Sequence, residues 1–304
     1  MFGRKIIGCF IIFINFSCNF LIGISEETDL SHVVENVQLR QKILSDLGEM
    51  KSLMENINRR FLERNINGTD TEMSVFDIRF DPIPEKCKTK DLPINCDQAT
   101  ACIKRNGIYK ILVEKYSKEP FLVECDAKTL NGGWLLIQRR HDGSENFYRD
   151  WIYYKDGFGN IQSEFFIGLD KLHALTNYLG PQELLVVIEE VGVYKYARYS
   201  SFAIGDEEKL YILKSLGKYS GTAGDSLQAH INMEFTSRDR DHDKDVSNCA
   251  QRYTGAWWYN KCHLSNLNGK YGDNTFGKGI NWHTYKGSNH SITNVKMMIR
   301  RRRE

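Results

Sequence analysis

Residues 239–269 read DRDHDKDVSNCAQRYTGAWWYNKCHLSNLNG, and three features crowd into them. Asp239, Asp241, Asp243 and Asp245 alternate with other residues. Cys249 and Cys262 bracket a loop carrying Tyr253, Trp257, Trp258 and Tyr259. His263 follows the second cysteine, and a polar turn closes at Gly269. Like charges a few ångströms apart repel, and a hard cation relieves that repulsion. Calcium takes carboxylate and backbone carbonyl oxygens in a flexible shell, so spaced Asp residues suit it. The spacing is not that of an EF-hand. Counted from Asp239, the sixth residue is Lys244 rather than Gly and the twelfth is Ala250 rather than Glu; counted from Asp241 they are Val246 and Arg252. The run is therefore a calcium loop of another kind or a solvated acidic turn.

Further motifs flank it: NGGWLLIQRRHDGSENFYRDW at 131–151, YKDGFGN at 154–160, EFFIGLDKLHALT at 164–176, YSGTAGDSL at 219–227 and GINWHTYKG at 279–287. In this order, together with the acidic run, they resemble the fibrinogen-related C-terminal domain shared by ficolins, tachylectins, angiopoietins, tenascins and the fibrinogen chains. The resemblance covers residues 93–304 and leaves the first ninety or so unaccounted for.

Periodicity agrees with a mixed fold. Residues 107–111 and 121–123 read as short strands joined by a turn, and 134–138 as another. Residues 165–179 look helical, with Leu169, Leu172 and Leu175 on one face. Segments 183–190, 194–202 and 210–213 read as consecutive antiparallel strands, and 295–299 as a last one. Beyond Gly217, Gly, Asn, Ser and Asp dominate and regular patterns fade. Helices and strands are mixed without alternating, which indicates α+β rather than a doubly wound parallel sheet. The expected fold is a fibrinogen C-terminal-like domain with an antiparallel central sheet and a loop-rich last third.

The 304 residues allow one large domain plus an extension, and a formal charge of +2 gives no argument for a nucleic-acid partner. The run Arg300 to Arg303 reads as a solvated end. Arg4 and Lys5 precede an apolar run over 6–24, and Gly23 and Ser25 make a small-x-small site, so residues 1–25 read as a secretory signal peptide. An uncleaved anchor is the competing reading, weakened by Asn15, Ser17 and Asn19. Residues 26–66 carry apolar positions at heptad spacing, from Leu30, Val33 and Val37 to Ile57 and Phe61. One apolar seam on a helix calls for a partner, and a homo-oligomeric coiled coil is expected; a lone helix docked on its own domain is the alternative. Residues 67–92 form a linker. Asn67 and Asn289 each open an N-x-S/T glycosylation acceptor.

Eight cysteines beside a signal-like segment point to an oxidising compartment. Cys9 and Cys18 lie in that segment. The other six, with no C-x-x-C among them, allow fifteen connectivities. The family resemblance implies Cys96–Cys125 and Cys249–Cys262; Cys87 and Cys102 pair with each other, or Cys87 joins neighbouring chains.

The resemblance also implies a site. Structural calcium would be held by the Asp241 and Asp243 carboxylates and the backbone carbonyls of Asp245 and Ser247, with Asp239 a neighbour. Lectin members bind acetylated sugars beside this loop, where a peptide before the second cysteine presents a backbone N–H. Here that peptide is Lys261–Cys262, expected to be cis. Tyr253 and His263 match pocket residues. Phe276 stands where a tyrosine is usual, Ser288 where an aromatic wall is common, and segment 271–279 is two residues shorter. Each residue also has a structural explanation: Tyr253 covers core, His263 is a satisfied histidine, and Trp257 and Trp258 pack. No G-x-S-x-G elbow, H-E-x-x-H or Walker A run is present, so no catalysis is expected.

The function expected is a secreted, calcium-dependent recognition lectin for acetylated glycans, of the innate-immune type, oligomerised by its coiled coil and without membrane insertion. The alternative is a protein-binding signalling or matrix ligand of the angiopoietin or tenascin type, without sugar binding. One scaffold carries both.

Overall fold

The computed structural model describes residues 90–303, together with residues 41, 42, 45, 84 and 87. The expected signal peptide (1–25), most of the coiled coil (26–66) and linker (67–92), and the Asn67 acceptor lie outside the described residues. Gln41, Lys42 and Ser45 are helical and exposed. They belong to the first of two compact units, Met1–Val75; the second is Phe76–Glu304. Among the described residues no helix is long and apolar enough to cross a membrane.

The second unit opens with α1 (Cys96–Thr100), β1 (Gly107–Ile111), β2 (Phe121–Asp126) and β3 (Trp134–Arg140). There follow α2 (Trp151–Asp156), β4 (Phe158–Gly159), β5 (Phe165–Phe166), α3 (Leu169–Asn177), β6 (Gln182–Glu190), β7 (Val193–Ile204), β8 (Leu213–Leu216) and β9 (Tyr219–Gly221). The last third holds only short elements, α4 (Cys249–Arg252), β10 (Ser265–Asn266), β11 (Asn281–Trp282) and α5 (His283–Lys286), before β12 (Val295–Arg301) returns to the sheet.

The main sheet runs β1-β2-β3-β12-β6-β7-β8, with β5 on β3, β4 on β5 and β9 on β7. Every pairing is antiparallel. The last strand thus sits at the centre, between β3 and β6, so the ends of the domain are tied together early and late in the chain. Leu184 to Ile188 on β6 are all buried, as a strand flanked on both sides and covered on both faces requires. Helix α3 buries Leu169, Leu172 and Leu175, the face read from their spacing.

Two boundaries differ from the sequence reading. Phe165 and Phe166 belong to β5, where they pair with Arg139 and Gln138, and the helix starts after Gly168, whose φ of 104° no L side chain favours. Residues 210–212 are not strand: Leu210 and Tyr211 take left-handed φ of 50° and 47°, which frees the buried Tyr211 to bond Asp170, and β8 begins at Leu213. The arginine run also differs from a solvated end. Arg300 is buried, donates to Glu183 (2.7 Å) and to the carbonyls of Leu130 and Gly132, and stacks over Trp134. Arg303 pairs with Asp97.

All three disulfides lie within the chain: Cys96–Cys125, Cys249–Cys262 and Cys87–Cys102. The first two are those the resemblance implied. The third resolves the open choice for Cys87 in favour of an internal bridge.

Candidate functional site

The acidic run folds as successive turns in which each side chain caps the backbone two residues on. Asp241 accepts from Asp243 N–H (3.3 Å), Asp243 from Asp245 N–H (2.9 Å) and Asp245 from Ser247 N–H (3.2 Å) and Ser247 Oγ (3.0 Å). Short Asp side chains favour such local bonds over helix or strand. Asp239 is spent elsewhere: it accepts from Trp151 N–H (2.8 Å) and Ser237 Oγ (2.6 Å), which suits a neighbour rather than a ligand.

Asp243 has the more demanding position. Its second oxygen accepts Cys249 N–H at 2.8 Å. Burial raises its carboxyl above the usual range, and the adjacent Asp241 raises it further, against the two N–H bonds. Neither Asp241 nor Asp243 has a Lys or Arg ion-pair partner among the described residues. The carbonyls of Asp245 and Ser247 accept no hydrogen bond among the described residues. No three His, Cys, Asp or Glu side chains converge there. Two carboxylates and two free carbonyls make a hard oxygen set, which fits calcium and does not fit zinc. Residues Asp241, Asp243, Asp245 and Ser247 are those that would hold it.

The loop is wired to the bracketed segment at two points. Asp243 anchors the first turn of α4 at Cys249, whose sulfur bridges to Cys262. Lys244 N–H donates to the Asn260 carbonyl (3.1 Å), one residue before Lys261. The Lys261–Cys262 peptide is cis, as the resemblance implies. His230 supports the chain just beyond it. Its Nε2 accepts from the N–H groups of Leu264 and Ser265, both at 3.2 Å, while Nδ1 meets the Trp258 carbonyl at 2.7 Å. The bonds assign Nδ1 as the protonated nitrogen. Burial pulls the His230 pKa down to about 4.

The N–H groups of Cys262 and His263, by contrast, find no acceptor among the described residues. Around them stand Tyr253, edge-on to the His263 ring at 4.7 Å, and Tyr259 at 5.8 Å. His263 Nε2 lies 3.1 Å from the Gly277 carbonyl, and its buried Nδ1 has no partner. Burial, with His230 nearby, lowers its pKa to about 4, so the ring is neutral at physiological pH. Asn266 closes the back, donating to the carbonyls of Tyr253 and Gly277. Tyr253, Cys262, His263 and the stem of Gly277 are thus brought together. Lys261 is exposed at the rim. Phe276 is 60% exposed, and its ring carries no hydroxyl to donate or accept a hydrogen bond. Ser288 forms no wall: it is buried, with Oγ 3.1 Å from His283 Nδ1 and its carbonyl taken by Gly277 N–H. Trp257 and Trp258 are buried packing residues. Asn289 is exposed, so its acceptor position is sterically open.

A recess that the sequence reading missed is lined by Thr254, the residue after Tyr253. It is a cavity of about 580 Å³ between the 142–148 turn, Thr254 and Lys270–Tyr271. The adjacent Phe147 and Tyr148 within the otherwise polar turn after β3 were its visible mark in the sequence.

The family described as fibrinogen beta and gamma chains, C-terminal globular domain, matches residues 92–302. Tenascin-R of Gallus gallus is 44% identical over 195 residues, 64% of this chain and 14% of that protein. Ryncolin-4 of Cerberus rynchops is 46% identical over 200 residues, 64% of this chain and 57% of that protein. The chain therefore spans about a seventh of the one and just over half of the other. Among solved structures, the fibrinogen-like globe domain of human ANGPTL2 is similar at TM-score 0.66 and 40% identity, over 69% of this chain and all of that one. A lamprey fibrin D-dimer with the peptide Gly-His-Arg-Pro-amide is similar at TM-score 0.66 and 28% identity, over 90% of this chain and 94% of that one.

Proposed function

The chain belongs to the family of fibrinogen C-terminal globular domains, and on that footing we propose that it is a secreted recognition lectin for acetylated glycans, held ready by calcium. The observation that carries the reading is the pair of N–H groups at Cys262 and His263, without an acceptor among the described residues, beside the Tyr253 and His263 rings. An acetyl carbonyl wants such donors, and its methyl wants an aromatic wall. Two N–H donors without an acceptor in the described chain leave a place for a ligand oxygen.

Calcium enters through position. When bound it would neutralise Asp241 and Asp243 and so fix the turn that holds Cys249 N–H and, through the disulfide, Cys262. Chain copies joined by the expected coiled coil would turn weak single-site binding into useful avidity. The test is retention on immobilised N-acetylglucosamine. The reading expects retention with calcium, release by EDTA or free acetate, and loss in Tyr253→Ala and His263→Ala. Failure of the calcium-loaded multimer to be retained overturns it.

One observation favours a second reading, a protein-binding signalling or matrix ligand. Phe276 offers an exposed apolar ring where a sugar hydroxyl would want a polar partner, and buried Ser288 supplies no second wall. The lamprey relative was solved with a peptide ligand. Absence of sugar retention combined with intact calcium-dependent stability is the result this second reading expects.

A further inference from the structure

The three bridges of the described chain differ in access. Cys96, Cys125 and Cys249 are fully buried, and Cys262 is 8% exposed. In the third bridge Cys102 is exposed and Cys87 half-buried. A disulfide is exchanged by a thiolate that attacks one of its sulfurs, so the rate depends on which sulfur solvent thiols reach. Cys102 is the cysteine that presents itself. It lies two residues past α1, just before the chain turns into β1 through Lys104, at a left-handed φ of 54°.

Charge selects a class of reagent. Within three residues of either cysteine the sequence carries Lys86, Lys88, Lys90, Lys104 and Arg105 against one acid, Glu85. Lys104 and Arg105 are exposed beside Cys102. Cations at a bridge draw in an anionic thiol and stabilise the thiolate that departs. Cys87, with a lysine on each side in the sequence, is the better leaving sulfur, and Cys102 the more open one to attack.

The domain does not depend on this bridge for its sheet. From Pro93 onward the chain is held by other means. The Pro93 carbonyl accepts Leu112 N–H (3.0 Å), Ile94 N–H donates to Gln98 Oε1 (3.0 Å), and Asn95 caps α1 through Gln98 N–H (3.0 Å). Cys96–Cys125 then pins α1 to β2. Cys87, by contrast, has one hydrogen bond among the described residues, a local one from its N–H to the Pro84 carbonyl (2.8 Å). Its covalent tie to the end of α1 is the bridge itself.

We propose that Cys87–Cys102 is a thiol-exchange site, modified at Cys102 by anionic low-molecular-weight thiols while the two core bridges stay closed. The attacking thiolate sulfur bonds Cys102 Sγ as the bond to Cys87 Sγ breaks. The electron pair leaves on Cys87 Sγ, which takes a proton from water. One disulfide replaces another, so no oxidant or reductant is consumed. The test incubates the full chain, with calcium, in reduced glutathione at neutral pH, then blocks free thiols with N-ethylmaleimide and maps the peptides by mass spectrometry. The expected result is glutathione on Cys102 and maleimide on Cys87, at least about tenfold faster than any label on Cys96, Cys125, Cys249 or Cys262. Equal labelling of all six, glutathione on Cys87 with maleimide on Cys102, or no reaction in a chain whose urea-unfolded form reacts, overturns the proposal. A second measurement tests the charge class by comparing glutathione with the cationic thiol cysteamine, each rate corrected for its thiolate fraction. Glutathione should be several-fold faster, and that preference should shrink in high salt and in Lys104→Gln/Arg105→Gln. Equal rates for the two thiols in the wild type overturn the assignment to anionic thiols.

Discussion

The sheet and the loop-rich last third bury their side chains by different means. In the sheet, Leu184 to Ile188 are buried on both faces, and the ladders to β7 and β12 satisfy the backbone polar groups. In residues 222–294 the buried set includes His230, Asn266, Asn268 and Asn281, and side chains do the work of strands. Asn266 donates to the carbonyls of Tyr253 and Gly277 and accepts from Tyr259; Asn268 serves Ala256; Asn281 serves His290. Apolar packing tolerates small changes of volume, whereas a polar lattice leaves a donor or acceptor stranded when one member is lost. The last third, which holds the candidate site, therefore ought to be the more sensitive to single changes and to pH.

Cutting the disulfides should produce the largest effects and separate the regions. The loop-entropy model gives about 4 kcal/mol for Cys96–Cys125 and about 3 kcal/mol for Cys249–Cys262, from sequence separations of 29 and 13. Paired Cys→Ala variants should show these losses in urea unfolding. Acetyl-sugar retention should survive the first pair and vanish with the second, although the second costs less stability. The reverse ranking of retention would break the link drawn from Asp243 through Cys249 to Cys262.

Acid should act on the last third next. His230 is neutral and buried with a pKa of about 4, and unfolding restores it to about 6.5. Below pH 6.5 the unfolded chain takes up a proton that the native chain refuses. Stability is thus complete above that pH and falls until about pH 4, by about 3 kcal/mol for this one group. His263 shifts in the same direction. Melting temperature against pH should show the slope between those limits; a flat curve there would mean that His230 is not held neutral. Calcium at a hundredfold excess over its dissociation constant would add about 2.7 kcal/mol. EDTA should remove that increment from the wild type and leave Asp241→Asn/Asp243→Asn unmoved.

The same contrast explains what the sequence made legible. Strands β3, β6 and β12 announce themselves as apolar runs, and the Leu spacing gives α3. The start of that helix was lost because Phe165 and Phe166 suit a helix face as well as a strand paired to β3, and only Gly168 separates the two. Alternation alone exposed the Asp run as a candidate cation loop. Bringing Tyr253, Cys262 and His263 together needed the family resemblance, because hydrogen bonds across 11 to 35 residues place them, and such bonds leave no period. The cavity was invisible for a similar reason: a carboxylate 19 to 23 residues away, Glu164, shapes its wall.

The smallest effects offer the cleanest comparison, one heavy atom removed in each region. Ile188→Val takes a methyl from the sheet, where Ile188 pairs with Val295 and Lys195, and should cost about 1 kcal/mol. Ser226→Ala takes a fully buried oxygen that accepts Thr284 N–H at 2.9 Å and meets Thr284 Oγ1 at 2.8 Å. With that N–H stranded, about 2 kcal/mol is expected. Thr284 Oγ1 keeps its other bond, to the Ala223 carbonyl, so the loss should stop short of collapse. Chemical denaturation of both variants measures the difference directly. Equal costs would mean that the polar lattice relaxes around a missing member as readily as the sheet core does, and the sensitivity assigned to the site region would then have to come from the disulfide and the acidic loop alone.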